Sequence, residues 1–161
     1  MWWRLRRLVR RSRRKLPRVS KVIVDTSFLL PYLGLRVEEV SDEVMDWLES
    51  VELYYPYVMV PEVIGVVIKK ARSMGLSAVP GLALQGLNTV VYGGFVNMVP
   101  LVNQDLSIAY DLVKRGLRDL FDALLYATSK RTGITAITVD EALLKFLRSG
   151  GFEASNMILL T

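Results

Sequence analysis

The stretch Lys21-Val22-Ile23-Val24-Asp25 decides the reading of this chain. Three consecutive β-branched residues with no polar alternation fit a strand buried on both faces, as in a parallel sheet. The run ends abruptly in a carboxylate. A second run, Ile134 to Val139, repeats the pattern and ends in Asp140. Between and around these two, short strands are expected at Leu53–Tyr57, Phe95–Leu101 and Met157–Leu160. Helices are expected over 26–33, with Thr26-Ser27 as the cap, and over 38–50, 61–74, 103–115, 119–131 and 141–148. A helix-rich region broken by glycines should run on to Tyr92. Strands alternating with helices imply a central parallel sheet of about five strands covered on both faces. The expected fold class is α/β, a three-layer α/β/α sandwich.

Composition narrows the chemistry. The 161 residues, 52% of them apolar, suit one domain with a sizeable core. There is no cysteine and no histidine. That removes disulfides, thiol nucleophiles, imidazole bases and nearly all zinc chemistry. Carboxylates, lysine, tyrosine or a water on a hard metal ion are left.

Net charge is +5 but unevenly spread. Residues 1–21 carry ten Arg and Lys and no acid, which leaves 11 basic and all 16 acidic residues, a balance of −5, in 22–161. We therefore divide the chain into a basic extension, 1–20, and a domain, 21–161. Residues 2–16 can be drawn as a basic amphipathic helix stopped by Pro17. It could contact nucleic acid, with Arg4, Arg7, Arg11 and Arg14 as the candidate residues, or an anionic membrane surface. It could equally be a disordered tail or a wrongly assigned start. No secretory signal is recognisable, and the glycines and prolines of 73–104 argue against a spanning helix, so the cytoplasm is expected.

Ligands bind beyond the carboxyl ends of the strands in open parallel sheets, and Asp25 and Asp140 both fall at that edge. Glu62, in the first turn of the helix after the second strand, lies near it. Asp122 interrupts an apolar helix, Leu120-Phe121-Asp122-Ala123-Leu124-Leu125. Each acid has a structural explanation of its own. Asp25 and Asp140 could precede or cap helices, and Glu62 could answer a helix dipole. Asp119 could cap its helix with Asp122 as capping-box partner. Together, four converging acids would repel one another unless a cation stood between them. All-oxygen ligands select a hard ion, Mg²⁺ or Mn²⁺. Such ions can activate a water near neutral pH and stabilise the leaving oxygen of a phosphodiester.

On Val24-Asp25-Thr26-Ser27, Pro61-Glu62-Val63, Asp122-Ala123-Leu124-Leu125-Tyr126-Ala127 and Thr138-Val139-Asp140, the chain from about Lys21 to Thr161 resembles a PIN-domain ribonuclease, and within that group the VapC-type toxins of prokaryotic toxin–antitoxin pairs. The resemblance implies a Mg²⁺- or Mn²⁺-dependent endoribonuclease with Asp25, Glu62, Asp122 and Asp140 as the catalytic, metal-binding acids. Thr26, Ser27 and Thr138 would be hydroxyls that hold the carboxylates or a water. It also implies an RNA substrate, an antitoxin partner and a homodimer. Asp119 matches no family acid and is read as a cap. The alternatives are a PIN nuclease of RNA processing or ribosome maturation that has no antitoxin, and a non-catalytic module that binds RNA or a membrane surface.

Overall fold

A computed structural model describes residues 15–161. Five strands, β1 (Lys21–Val24), β2 (Glu52–Pro56), β3 (Val96–Val99), β4 (Ala136–Thr138) and β5 (Met157–Leu159), form one sheet in the order β3-β2-β1-β4-β5. Every pairing is parallel, with Ile23 opposite Tyr54 on one side and Ala136 on the other. Among the described residues, seven α-helices cover it: α1 (Thr26–Leu29), α2 (Asp42–Leu48), α3 (Val60–Ser73), α4 (Gly81–Tyr92), α5 (Asn103–Lys114), α6 (Leu120–Thr132) and α7 (Glu141–Ser149). This is the expected α/β/α sandwich. Val22, Ile23, Val24, Ala136, Ile137 and Thr138 are all fully buried at its centre.

β3, β4 and β5 are shorter than expected, and β2 keeps its length but begins and ends one residue earlier. Two helices differ for identifiable reasons. The helix expected over 26–33 divides at Leu30, because Pro31 has no N–H to continue an α-helix, and a 3₁₀ turn carries on to Leu33. Its cap is Asp25, not Thr26-Ser27. The helix expected over 38–50 is only Asp42–Leu48, since the Ser41 hydroxyl accepts from Val44 N–H and sets the start. The glycine-broken region contains an unbroken helix, α4. Gly86 is inside it for want of space: a Cβ there would collide with the Tyr32 carbonyl and stand 2.8 Å from Leu33 Cα.

The expected helix over 2–16, with Arg4, Arg7, Arg11 and Arg14, lies outside the described residues but for Lys15 and Leu16, which have no regular structure. Leu16 and Val19 pack against the core, and the Ser20 carbonyl accepts from Glu52 N–H (2.9 Å). Among the described residues, no helix is long and apolar enough to cross a membrane.

One feature of the topology positions the site. From β1 the chain steps through β2 to β3 on one side, and β4 and β5 lie on the other. Connections therefore diverge between β1 and β4, and a crevice opens at their carboxyl ends. Asp25 and Asp140 follow those two strands directly.

Candidate active site

A cleft of about 570 Å³ opens at this edge, and Asp25, Glu62, Asp119, Asp122, Asp140 and Glu141 line it. Among the described residues, Lys145 is the one basic residue that lines it. Ser27 and Val139 complete its floor with Ala142.

Asp25 is pinned. One oxygen, Oδ1, accepts from Thr26 N–H (2.6 Å), and Oδ2 accepts from the Thr138 hydroxyl (2.9 Å). Thr138 in turn accepts from Asp140 N–H (3.0 Å), so a single buried hydroxyl ties the ends of β1 and β4 together. Burial pushes the Asp25 carboxyl up; the Thr138 and Thr26 hydrogen bonds oppose this, and the charges of Asp140 and Asp119 add to it.

Asp140 caps α7, with Oδ1 accepting from Ala142 N–H (2.7 Å) and Leu143 N–H (3.2 Å). Only its other oxygen is left for the cleft. Glu62 sits in the first turn of α3, and its carboxyl meets the Thr26 hydroxyl. That hydroxyl also contacts the Tyr55 phenol (2.7 Å), which donates to the Met59 carbonyl (2.9 Å). With Glu62 ionised, two hydrogens serve these three contacts; with Glu62 protonated, each contact has its own hydrogen. Burial, and then the charges of Asp25 and Asp119, push Glu62 up to about 7, against the Thr26 hydrogen bond.

Asp122 is the least compensated of the acids. It is half-buried in α6, and its carboxylate accepts no hydrogen bond from the described residues. Burial pushes it to about 8, with Asp119, Asp25, Asp140 and Glu62 all adding. Asp119 does cap α6, accepting from Phe121 N–H (2.8 Å) and Asp122 N–H (3.3 Å). The reciprocal half of a capping box is missing, because Asp122 turns into the cleft. Asp119 is a cleft residue as well as a cap, and its charge is the largest one acting on Asp122.

The four acids singled out from the sequence thus share one cleft, together with Ser27. Thr138 and Thr26 lie behind it and hold Asp25 and Glu62. Sequence reasoning did not place Glu141, Lys145 or Tyr55 at the site, and it read Asp119 as a cap, which it is, without its place in the cleft. Glu141 and Lys145 are four apart and paired at 3.3 Å, a spacing visible in the sequence, but the face of α7 that meets the cleft is not.

The family model of the PIN domain matches residues 22–147. The chain belongs to the PIN-domain family. That match spans all six acids of the cleft, Asp25, Glu62, Asp122 and Asp140 among them. No curated protein matches the chain. Solved structures of similar fold include a Pyrobaculum aerophilum protein, PAE2754 (TM-score 0.56, 20% identity, 78% of each chain covered). A toxin–antitoxin complex from Klebsiella pneumoniae also matches (0.51, 14%, 87% of this chain and 98% of that one). So does Mycobacterium tuberculosis VapC20, a sarcin–ricin loop cleaving toxin (0.56, 16%, 82% and 96%).

The PIN cleft suits a hard cation in the character of its donors. They are carboxylate oxygens: five acids line the cleft besides the Glu141–Lys145 pair, and burial and mutual repulsion push three of them up. Among the described residues no group of three acids is close enough together to hold a metal ion as placed here, so the fit is one of donor type.

Proposed function

We propose that this PIN-domain chain is a metal-dependent endoribonuclease, a hydrolase of RNA phosphodiester bonds, and the toxin of a toxin–antitoxin pair. The observation that carries the reading is Asp122: a half-buried carboxylate with four like charges acting on it and no hydrogen bond or cation among the described residues to answer it. A buried charge of that kind is costly unless a ligand of opposite sign completes the site.

Asp25, Glu62, Asp122 and Asp140 would hold Mg²⁺ or Mn²⁺. A bound divalent ion would supply Lewis-acid charge at the scissile phosphate and acidify the attacking water. The chain's own residues set the stage for that chemistry. Thr138 and Thr26 N–H fix both oxygens of Asp25, so it cannot rotate away. Thr26 and Tyr55 hold Glu62 from behind. Asp140 spends one oxygen on α7 and keeps one for the cleft. Lys145, exposed on the rim, can meet a phosphate oxygen.

The choice of RNA, of an antitoxin partner and of a homodimer rests on the family resemblance, and that of the cytoplasm on the cysteine-free sequence. RNA and an antitoxin partner are supported by structural neighbours described as a sarcin–ricin loop cleaving toxin and a toxin–antitoxin complex. A second reading, an RNA-maturation nuclease that has no antitoxin, draws on the basic residues 1–20, which could grip structured RNA.

The test is cleavage of a mixed RNA substrate with Mn²⁺, Mg²⁺ or EDTA by the native chain, Asp25→Asn and Asp122→Asn. Cleavage should need the metal and vanish in both variants. Equal cleavage by all three proteins would overturn the assignment. Silencing by the product of a short adjacent reading frame separates the toxin from the maturation enzyme.

A further inference from the structure

The acidic cleft has a problem as an RNA site: its own field repels the substrate's phosphates. Affinity for a polyanion must come from cations elsewhere. A second groove, of about 320 Å³, lies between α5, α6 and the turn at Phe152. Its character is the reverse of the cleft's. Lys114 and Lys130 line it, and the single acid there, Asp111, is answered by Arg115 (3.6 Å). Neither lysine is in an ion pair among the described residues. Glu153, whose carboxylate feels the charge of Lys130 but is in no ion pair with it, accepts from Ser155 N–H on its own loop (2.8 Å).

The groove is also aromatic. Arg115 lies over the Phe152 ring (4.9 Å), and Lys130 lies over Tyr126 (5.9 Å). Tyr110 is 67% exposed and has no ring or cation partner among the described residues. A free aromatic face beside unpaired lysines is the composition of a nucleobase-stacking platform.

The groove and the cleft are separate hollows that share α6. Asp122 of the cleft, then Tyr126 and Lys130 of the groove, recur at four-residue intervals on one face. At 1.5 Å per residue the two lysine-to-acid ends are about 12 Å apart along the axis. A strand seated with one phosphate in the cleft reaches the groove within a few nucleotides.

We propose that this groove is a binding subsite for single-stranded RNA extending from the cleft, with Lys114 and Lys130 on phosphates and Tyr110 stacked on a base. The proposal rests on the ribonuclease reading for the direction of the strand, but its test does not depend on cleavage.

Binding of a fluorescein-labelled 20-nucleotide single strand is measured by anisotropy in EDTA across a salt series. The full-length native chain is compared with Lys114→Gln/Lys130→Gln and with Tyr110→Ala; all three side chains are exposed, and circular dichroism checks the fold. The double variant should bind more weakly, with a log–log salt slope shallower by about 1.4, as expected for two lost phosphate contacts on a single strand. Tyr110→Ala should bind about tenfold more weakly with the slope unchanged. Native slope and affinity in both variants would overturn the subsite. So would a change confined to oligomeric state on size exclusion, which would make the groove a contact between copies of the chain. A native chain that cuts no RNA would sink the ribonuclease reading and leave this binding result to stand or fall by itself.

Discussion

Two aspartates, the fully buried Asp105 and the half-buried Asp122, show opposite ways to accommodate a carboxylate in this fold. Asp105, at the start of α5, is fully buried and fully answered. Its Oδ1 pairs with Arg131 Nε at 2.6 Å, and Oδ2 accepts from Val102 N–H at 3.1 Å. Arg131 goes on to donate to the Pro100 carbonyl (3.2 Å), so the pair stitches α5 to α6. Asp122, on the same helix as Arg131, has neither a cation nor a hydrogen bond among the described residues, and like charges surround it. Burial alone does not mark a functional acid. What marks it is burial left uncompensated by the protein itself.

The sharpest way to break this comparison is to neutralise each acid. Asp122→Asn or Asp25→Asn should lower RNA cleavage by about a thousandfold, roughly 4 kcal/mol on the barrier. Asp105→Asn should leave the rate within about threefold, because it touches nothing in the cleft. Steady-state rates with saturating Mn²⁺ read both; a comparable loss in Asp105→Asn would erase the distinction.

Stability should run the other way. Asp105→Ala leaves the Arg131 guanidinium, 19% exposed, with no carboxylate partner. The expected cost is about 3 kcal/mol, a fall in Tm of about 6–12 °C. Calorimetry that found no change would show the pair to be ornamental.

Between these lies Thr138, which is fully buried and donates to Asp25. Thr138→Val keeps the shape and loses the hydrogen bond. It should weaken Mn²⁺ affinity by about tenfold, the usual penalty for removing a support of a metal ligand. Undiminished affinity would mean that Asp25 needs no such support.

The smallest effect is on the metal-free protein as pH changes. Glu62 and Asp122 have folded-state values, about 7 and about 8, above their ordinary 4.5 and 3.8. Their protonated forms favour the fold. That contribution is complete below the ordinary values and is lost as the pH climbs to about 7 and 8. In EDTA the Tm should fall by a few degrees from pH 5.5 to 8.5. Asp122→Asn should fall less and be the more stable protein at pH 8.5, and Mn²⁺ should raise the native Tm there. A native Tm that rises with pH would contradict the description of the cleft.

The comparison also explains what could be read in advance. Strands that are buried on both faces announce themselves, because Val22-Ile23-Val24 has no polar side to conceal. Their terminal acids, Asp25 and Asp140, come with them. Glu62 and Asp122 were legible because a carboxylate in an apolar or helix-opening context is conspicuous. Other features depend on packing between elements far apart in sequence. Asp105 looks like any acid in a first helical turn until Arg131, 26 residues on, closes over it. Gly86 looks like a helix breaker until Tyr32 presses against α4. Asp119 reads as a cap, and it is one, but only the fold shows its charge reaching Asp122.

The central claim is that the cleft is built to be completed by a divalent cation. Its most direct test is titration of Mn²⁺ into the native chain, Asp122→Asn and Asp105→Asn at pH 7.5, followed by calorimetry. The account predicts that the native chain and Asp105→Asn bind with the same affinity and that Asp122→Asn binds at least tenfold more weakly. Equal binding by native and Asp122→Asn proteins, or none by the native chain, would contradict it.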